Sequence, residues 1–587
     1  MGKLLEGAHK TEDGVRVYQD IEMEMRDGVI MRANLFRPDN DDRYPCLVVR
    51  LPYGKDVFGG LMAGHLDPAP FAKAGYNVVI QDCRGYNKSD GEPHADASNE
   101  MNDGYDTIEW LAAQDWCDGC IGTYGLSFFG MNQLSAAIMM PPHLRAAIPF
   151  QCSSTFPQNL VRGGAFGLRH LEWLYDTAPG MLRKLDVSDD ERQRIADEIS
   201  LNRSQLWEQC RTIRPLCDIP AVHVKGFSYF DDFMDEVDHM DDLEYWNRSG
   251  RPFDFADMRV PMFHLAGWYD TARDGTIENY ELAVKRGGSE IMRNNQKLIL
   301  GPWRHGTLME AETDGVSYGQ EASGASIHIQ NRMTAWFDCW LKGKRDPVLD
   351  EPDILYFTLC ENKWHRADAW PLPDTEYRSY FLSSEKGARG LDGDGVLSTA
   401  PEYTEAEDTS LHDPDNPVPS AVEGESMFNG DYSSVQRRSD VLVYSTDILK
   451  ANTEVTGHIK LRLFVSMDAE DGDLWCRLTD VHPDGRAVKL LIGMVRARYR
   501  KSMTEEHFIS AGEIYEYEID IGNTSNLFMK GHRIRVDISG SSYPFADINL
   551  GTKDRIGYGS TAVKALHHVM HSNEYPSALI LPVIREF

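Results

Sequence analysis

The chain has 587 residues and a formal net charge of −32. Its length exceeds what one hydrophobic core supports and implies about two to four domains, while the acidic excess argues against nucleic acid or an anionic membrane surface as a partner. A content of 42% hydrophobic and 10% aromatic residues excludes a disordered chain.

No stretch reaches the roughly 20 apolar residues of a membrane-spanning helix. The first ten residues carry no apolar run of the kind a secretory signal needs, and Glu6 stands where a myristoylation signal has Ser or Thr. The ten cysteines form no scaffold pattern. Cys117 and Cys120 have Cys-x-x-Cys spacing without a second pair to complete a zinc site, and Asp118-Gly119 between them makes a natural turn. A cytoplasmic protein with reduced cysteines, no metal and no organic cofactor is expected.

Arg26-Asp-Gly28 predicts a turn between paired strands near 21–25 and 29–36. Buried strands follow at 44–51 and 76–82, then a helix over 103–114 with Tyr105, Ile108, Leu111 and Ala112 on one side. Residues 119–126 read as a strand entering a sharp turn at Ser127. The next segment reads as a helix that buries one face through Met131, Leu134 and Ile138. Gly125-Leu-Ser-Phe-Phe-Gly130 thus has the chemistry of a nucleophile elbow, a serine on a strained strand-to-helix turn. The match is partial, because Phe129 takes the place of the usual second glycine. Alone, such a motif is most often an ordinary βα turn.

After another strand at 144–150 the strand–helix rhythm stops. Residues 151–249 are helical in flavour, which fits a lid over the site and fits a plain structural insertion equally well. The rhythm resumes with strands near 260–267 and 296–301 and a helix over 327–341. Apolar strands alternating with helices indicate a mostly parallel α/β sheet. Two strands each end in a short turn with one ionisable residue, Asp270 and His305, and strand C-termini are where such sheets hold ligands. The order Ser127, Asp270, His305 is the Ser…Asp…His order of α/β-hydrolases. With nineteen histidines in the chain, position carries this assignment. His264, inside an apolar strand, reads as a core residue.

Beyond Asp346-Pro347 the sequence turns to alternating strands and Gly/Asp/Pro turns, the pattern of a β-sandwich or jelly roll. Residues 384–440 read as polar connecting loops. Asp392-Gly-Asp-Gly395 lacks the spacing and closing glutamate of a calcium loop.

Several motifs together resemble the cocaine esterase-like (CocE/NonD) hydrolases, relatives of the X-prolyl dipeptidyl peptidases. They are Leu51-Pro-Tyr53, Val79-Ile-Gln-Asp-Cys-Arg-Gly85, Trp116-Cys-Asp-Gly119, Gly125-Leu-Ser-Phe-Phe-Gly130, Ala266-Gly-Trp-Tyr-Asp270 and Gly301-Pro-Trp-Arg-His305. Asp413-Pro-Asp-Asn-Pro-Val-Pro419, Pro483-Asp-Gly-Arg-Ala487 and Gly512-Glu-Ile-Tyr-Glu516 extend the resemblance over nearly the whole chain. It implies an α/β-hydrolase core (1–150 and 250–345), an inserted helical cap (151–249) and a C-terminal all-β jelly-roll domain (346–587).

The resemblance implies a serine esterase with Ser127, Asp270 and His305 as its triad. It also implies an oxyanion hole made by the Tyr53 hydroxyl and the Phe128 backbone amide, and an acyl pocket lined by Trp173, Ala272, Met427 and Phe428. Most relatives have tyrosine at position 128, where only the amide is needed. Cocaine esterase-type members have phenylalanine where Ala272 stands, so a wider pocket that admits bulky or aromatic acyl groups is expected. Met427 and Phe428 fit plain domain-interface packing as well. The implied partner is a small-molecule ester, with no nucleic acid and no membrane, and the only macromolecular partner left open is a second copy in a homodimer.

Other readings share this triad: α-amino acid ester hydrolase or dipeptidyl peptidase, amide or β-lactam side-chain acylase, and acyltransferase. Binding a substrate ammonium calls for carboxylates near the site, and Thr271-Ala-Arg273 follows the aspartate instead, although Asp274 is close. A non-catalytic binding protein is disfavoured by the complete set of Ser, Asp, His and Tyr, although fold alone never proves activity.

Overall fold

The computed structural model describes residues 10–56, 67–93, 99–154, 160–246, 253–400, 403, 407–421 and 429–587. Met427 and Phe428 lie outside the described residues.

An eleven-stranded sheet forms the core. Seven neighbouring strands are parallel, in the spatial order Asn77–Asp82, Tyr44–Leu51, Cys117–Leu126, Leu144–Phe150, Met262–Gly267, Gln296–Gly301 and Ile354–Thr358. Antiparallel strands flank them, with the hairpin Val15–Glu24/Ile30–Pro38 at one edge and Lys363–Ala367 at the other. Helices cover both faces, so strands such as Asn77–Asp82 and Met262–Gly267 are buried along their whole length. That is why they read as unbroken apolar runs. His264 is fully buried among them, its Nε2 2.9 Å from Gln296 Oε1, and burial depresses it to about 4.

The helix Phe128–Ile138 departs from the expected one-sided burial, because every position in it is buried. It lies between the sheet and the helix Glu100–Ala112. The two helices approach so closely that a methyl group at Gly104 would stand 2.6 Å from the Ala136 Cβ. The inserted cap follows, with helices Arg169–Leu182, Asp189–Thr212 and Asp231–Asp238. Phe166, Leu171, Leu174 and Phe233 of the cap share one apolar cluster with Phe128 and Met131. Burial of apolar surface, worth about 25 cal/mol per Å², makes this shared cluster one contributor to holding the cap over the elbow.

The core sheet runs past the compositional change at Asp346-Pro347. Ile354–Thr358 is buried throughout and pairs in parallel with Gln296–Gly301. Leu359 then exchanges backbone hydrogen bonds of 2.9 Å with Ser525 and Leu527 of the C-terminal domain, so core and domain are continuous through the main chain.

The C-terminal domain is a predominantly antiparallel β-structure, another eleven-stranded arrangement wrapped around the long strand Thr453–Met467. That strand pairs with Tyr515–Phe528 along most of its length and with both Ala565–Met570 and Ala578–Glu586. Two stretches expected as loops are strands, Val396–Ser398 and Glu407–His412. In the second, the inward residues are polar: Asp408, Ser410 and His412 are buried, and Asp408 accepts hydrogen bonds from the Tyr444 hydroxyl at 2.7 Å and the Ser384 hydroxyl at 2.8 Å. Asp394 of the Asp-Gly-Asp-Gly stretch accepts the backbone N–H groups of Lys386 and Gly387 and so closes a turn. No helix among the described residues is long and apolar enough to cross a membrane.

Candidate active site

Ser127 joins the strand Cys117–Leu126 to the helix Phe128–Ile138 in a conformation that costs backbone energy, φ 59° and ψ −130°. A non-glycine residue with positive φ is uncommon, and the cost is of order 1–3 kcal/mol. The surroundings enforce it. The Ser127 N–H donates to the carbonyls of Phe150 and Gln151 at 3.1 and 3.2 Å. Two glycines permit the close approach: a Cβ at Gly125 would meet the Phe129 ring at 2.3 Å, and one at Gly130 would meet Cys152 Sγ at 2.8 Å. The single glycine at 130 therefore serves where the usual pattern places one at 129. The outcome is a serine presented at the sheet end, at the start of a helix whose first N–H groups point toward the same space.

Asp270 and His305 come from the loops after Met262–Gly267 and Gln296–Gly301. These loops are tied to each other: the Trp268 N–H donates to the Gly301 carbonyl at 2.8 Å and the Tyr269 N–H to the Trp303 carbonyl at 3.0 Å. Gly267 is required there, since a Cβ would sit 2.1 Å from the Trp303 carbonyl oxygen. The tie sets His305 Nδ1 at 3.0 and 3.1 Å from the two Asp270 carboxylate oxygens. Asp270 also accepts the Ala272 N–H at 2.8 Å. The Asp270 side chain is 0% exposed and that of His305 is 41% exposed, so the pair is anchored at one end and open at the other.

Ser127 and His305 line a single cavity of about 240 Å³, together with Phe128, Trp173 and Ala272. Tyr53 stands beside it. Its hydroxyl accepts a 2.8 Å hydrogen bond from Trp173 Nε1. Burial lifts the Tyr53 phenol to about 12, with the neighbouring Trp173 N–H and the Ser127 hydroxyl pulling partly the other way. The Phe128 ring stacks on Trp173 at 5.8 Å, and Trp173 in turn stacks on His170 at 5.6 Å. The side chain at position 128 thus contributes a wall of the cavity.

Four contributors escaped the sequence reading. Gln151 follows the strand Leu144–Phe150 with φ 49°. Its side-chain amide brackets His305: Nε2 donates to the Arg304 carbonyl and Oε1 accepts the Gly306 N–H, both at 2.8 Å. Its place at a strand C-terminus was the one available signal. His170 lines the cavity with its Nε2 2.6 Å from Glu236 Oε2, both side chains almost fully buried. Arg162 reaches the cavity from a two-residue hairpin strand, and Phe545 from the C-terminal domain.

Asp274, the acidic residue nearest after Asp270 in sequence, is engaged. Arg273 donates to it at 2.6 Å, Arg162 lies 3.6 Å away, and Asn523 donates its backbone N–H at 2.8 Å and its side-chain amide at 3.0 Å. Burial works against its charge, but Arg273 and then Arg162 and Asn523 outweigh burial and hold the carboxyl well below the usual range. Metal-ligand chemistry gathers at Cys360, Asp480 and His482 in the C-terminal domain, with donor atoms within 4.8 Å of one another. There the Asp480 carboxylate is already engaged by the Cys360 thiol at 3.4 Å and by His532 Nδ1 at 2.8 Å.

Comparison with known proteins agrees with this layout. Residues 27–307 match the X-Pro dipeptidyl-peptidase (S15) family, and residues 347–580 match the C-terminal non-catalytic domain of X-Pro dipeptidyl-peptidases. The chain is 35% identical to the cocaine esterase of Rhodococcus sp. (strain MB1 Bresler) over 593 aligned residues, 97% of this chain and 99% of that one. Among solved structures, an aminopeptidase from a marine sediment archaeon, Thaumarchaeota archaeon, superposes with a TM-score of 0.80 at 22% identity, covering 100% of this chain and 99% of that one. An α-amino acid ester hydrolase superposes with a TM-score of 0.74 at 20% identity, covering 99% of both chains. These two likenesses speak to fold. Taken with the identity to cocaine esterase across almost the full length, they place the chain in the cocaine esterase-like (CocE/NonD) family of α/β-hydrolases, a serine carboxylic-ester hydrolase with a helical cap and a C-terminal β-domain.

Proposed function

We propose that the protein hydrolyses small-molecule carboxylic esters through an acyl-enzyme formed on Ser127. The observation that carries the reading is the convergence on one cavity of a strained serine and a histidine whose far nitrogen is held by a buried carboxylate. A serine hydroxyl is too weak a nucleophile without a base beside it. His305 takes the Ser127 proton as Oγ attacks the ester carbonyl, and returns it to the leaving alcohol. A water then enters, gives a proton to His305 and attacks the acyl carbon; the bond from that carbon to Ser127 Oγ breaks as His305 returns the proton to Oγ, and the acid is released. Asp270 fixes the imidazole tautomer and stabilises the imidazolium that forms in both halves. The Tyr53 hydroxyl, together with the Phe128 amide, stabilises the oxyanion. One such donor contributes about 2.7–4 kcal/mol to the transition state. Trp173 holds Tyr53 in place by donating to its oxygen, which leaves the phenolic proton free to point at the oxyanion.

Asp274 weighs against substrates recognised by a free α-amine. A substrate ammonium would have to displace two guanidinium partners from it. Amide hydrolysis and acyl transfer use the same residues, and substrate preference separates them. The test is turnover of p-nitrophenyl esters and matched anilides, acetate through benzoate, by the native protein and by Ser127→Ala. Ester turnover that disappears in Ser127→Ala supports the reading. Full turnover in Ser127→Ala, or anilides cleaved in preference to esters, contradicts it.

A further inference from the structure

Away from the reactive cavity, Cys360, Asp480 and His482 offer a sulfur, an oxygen and a ring nitrogen that all lie within 4.8 Å of one another. Zinc, a borderline-soft cation, accepts these three donor types together. Two of the atoms already stand at coordination spacing, with Cys360 Sγ 3.4 Å from Asp480 Oδ2. A tetrahedral zinc ion, bonded at about 2.3 Å to sulfur and about 2.0 Å to oxygen, sets those ligands about 3.5 Å apart. The His482 ring closes the remaining gap by a side-chain rotation. It is partly exposed, it rests on the His532 ring with centroids 4.4 Å apart, and among the described residues no hydrogen bond holds its nitrogens.

Two segments 120 residues apart in sequence bring the donors together, so no ligand spacing marks them. Cys360 lies in the turn between Ile354–Thr358 and Lys363–Ala367, the last hairpin of the core sheet. Its φ of 65° is uncommon for a residue with a Cβ. Asp480 belongs to the strand Asp473–Val481 of the C-terminal domain, and His482 follows directly. The Asp480 side chain is fully buried and its orientation is fixed: Oδ1 lies 2.8 Å from His532 Nδ1, and Oδ2 accepts from the Asn526 amide at 3.3 Å. Metal-binding carboxylates are held by such partners.

The charges balance. As a dication binds, the Cys360 S–H bond breaks, the proton leaves to solvent and the sulfur electron pair goes to the metal. One thiolate and one carboxylate then offset two positive charges, and the imidazole is neutral. Arg486 and Asp484, on the hairpin turn that follows His482, pair with each other at 2.8 Å.

We propose that Cys360, Asp480 and His482 bind one zinc ion, with solvent in the fourth position, and that the ion staples the edge of the α/β sheet to the C-terminal domain. The inference is independent of the ester-hydrolase reading. The test strips the full-length protein with a chelator and titrates it with zinc against a chromophoric competitor, and with cobalt as a spectroscopic probe. The native protein is expected to take up one zinc per chain with a dissociation constant of about 1 μM or below. Its melting temperature should rise by several degrees, and cobalt should give a thiolate charge-transfer band.

Cys360→Ser should abolish the band and the thermal shift, and His482→Gln should weaken zinc binding. His532→Ala, which frees the aspartate to turn, should weaken it by about 10- to 100-fold. Native protein that binds zinc only at millimolar concentration, or not at all, overturns the proposal. So does a band that persists in Cys360→Ser, since it arises from another cysteine, or affinity unchanged in His482→Gln. Should Cys360→Ser not fold, the native stoichiometry and the His482→Gln variant still decide.

Discussion

Two regions of this molecule bury carboxylates against cations, and they do so differently. In the C-terminal domain the pairs are closed. Arg477 and Asp537 meet at 2.8 Å with both side chains 0% exposed. Arg496 lies between Asp473 and Asp547, and Arg498 binds Asp471 at 2.7 Å. The Arg477–Asp537 pair is held on both sides, Asp537 accepting from the Gln436 amide and Arg477 donating to the Ser539 hydroxyl and the Ser541 carbonyl, and such a pair holds register. At the end of the α/β sheet the Asp270–His305 pair has the same acid-and-base make-up but is sealed only at the aspartate. The difference teaches where reactivity comes from: a buried acid whose partner still reaches a cavity can move a proton, whereas a sealed pair can only resist being broken.

The sharpest way to break that comparison is to remove the open partner. His305→Ala should lower kcat on esters by about a millionfold, the scale reached when a triad nucleophile or base is deleted. Asp270→Asn, which keeps the shape but alters the tautomer, should cost about ten-thousandfold. Neither change should shift the melting temperature by more than a few degrees, and steady-state kinetics alongside thermal unfolding reads both. The closed pairs predict the converse. Arg477→Met strands Asp537 without its cation and should cost about 3–5 kcal/mol of stability in urea unfolding. Turnover per folded molecule should be unchanged, and a large loss of kcat in the folded variant would erase the distinction.

Tyr53→Phe comes next. Loss of one oxyanion donor should lower kcat by about a hundred- to a thousandfold with a smaller effect on KM. Because burial raises the Tyr53 phenol to about 12, the donor form persists well above the usual tyrosine range near 10. The sign is therefore that activity on the alkaline side is not lost through this group between those values, and a kcat–pH profile that falls near 10 in the native protein but not in Tyr53→Phe contradicts it. The smallest effect concerns Gln151, a positioning residue. Gln151→Leu removes the amide that clamps both neighbours of His305 and should cost about a hundredfold in kcat through misplacement. Gln151→Glu, whose carboxylate can still accept the Gly306 N–H but cannot donate to the Arg304 carbonyl, should restore part of that loss, which a residue needed only for folding would not show.

Much of the frame was legible because the strands of a covered parallel sheet are continuous apolar runs. Their ends could be located closely enough to single out Asp270 and His305 among many similar residues. What stayed hidden depends on groups that meet only after folding. Gln151 acts through a positive-φ turn and an amide that spans to residues 304 and 306, and no local pattern marks it. Arg162 sits in a two-residue strand too short to carry a period. The strand Glu407–His412 looks like a loop in the sequence because its inward face is polar and satisfied by hydrogen bonds, the reverse of the alternation that marks a half-buried strand. The helix Phe128–Ile138 was expected to have one buried face, and the close-packed cap and neighbouring helix bury the rest.

The account stands on Ser127 as the nucleophile, and covalent labelling tests it most directly. The native protein, treated with a fluorophosphonate and analysed by peptide mass spectrometry, should take up one label on the peptide that contains Ser127. Ester turnover should fall in proportion, competing ester should slow the labelling, and Ser127→Ala should remain unlabelled. Full ester turnover in protein that is completely labelled at Ser127, or a label on another residue that tracks the loss of activity, would contradict the account.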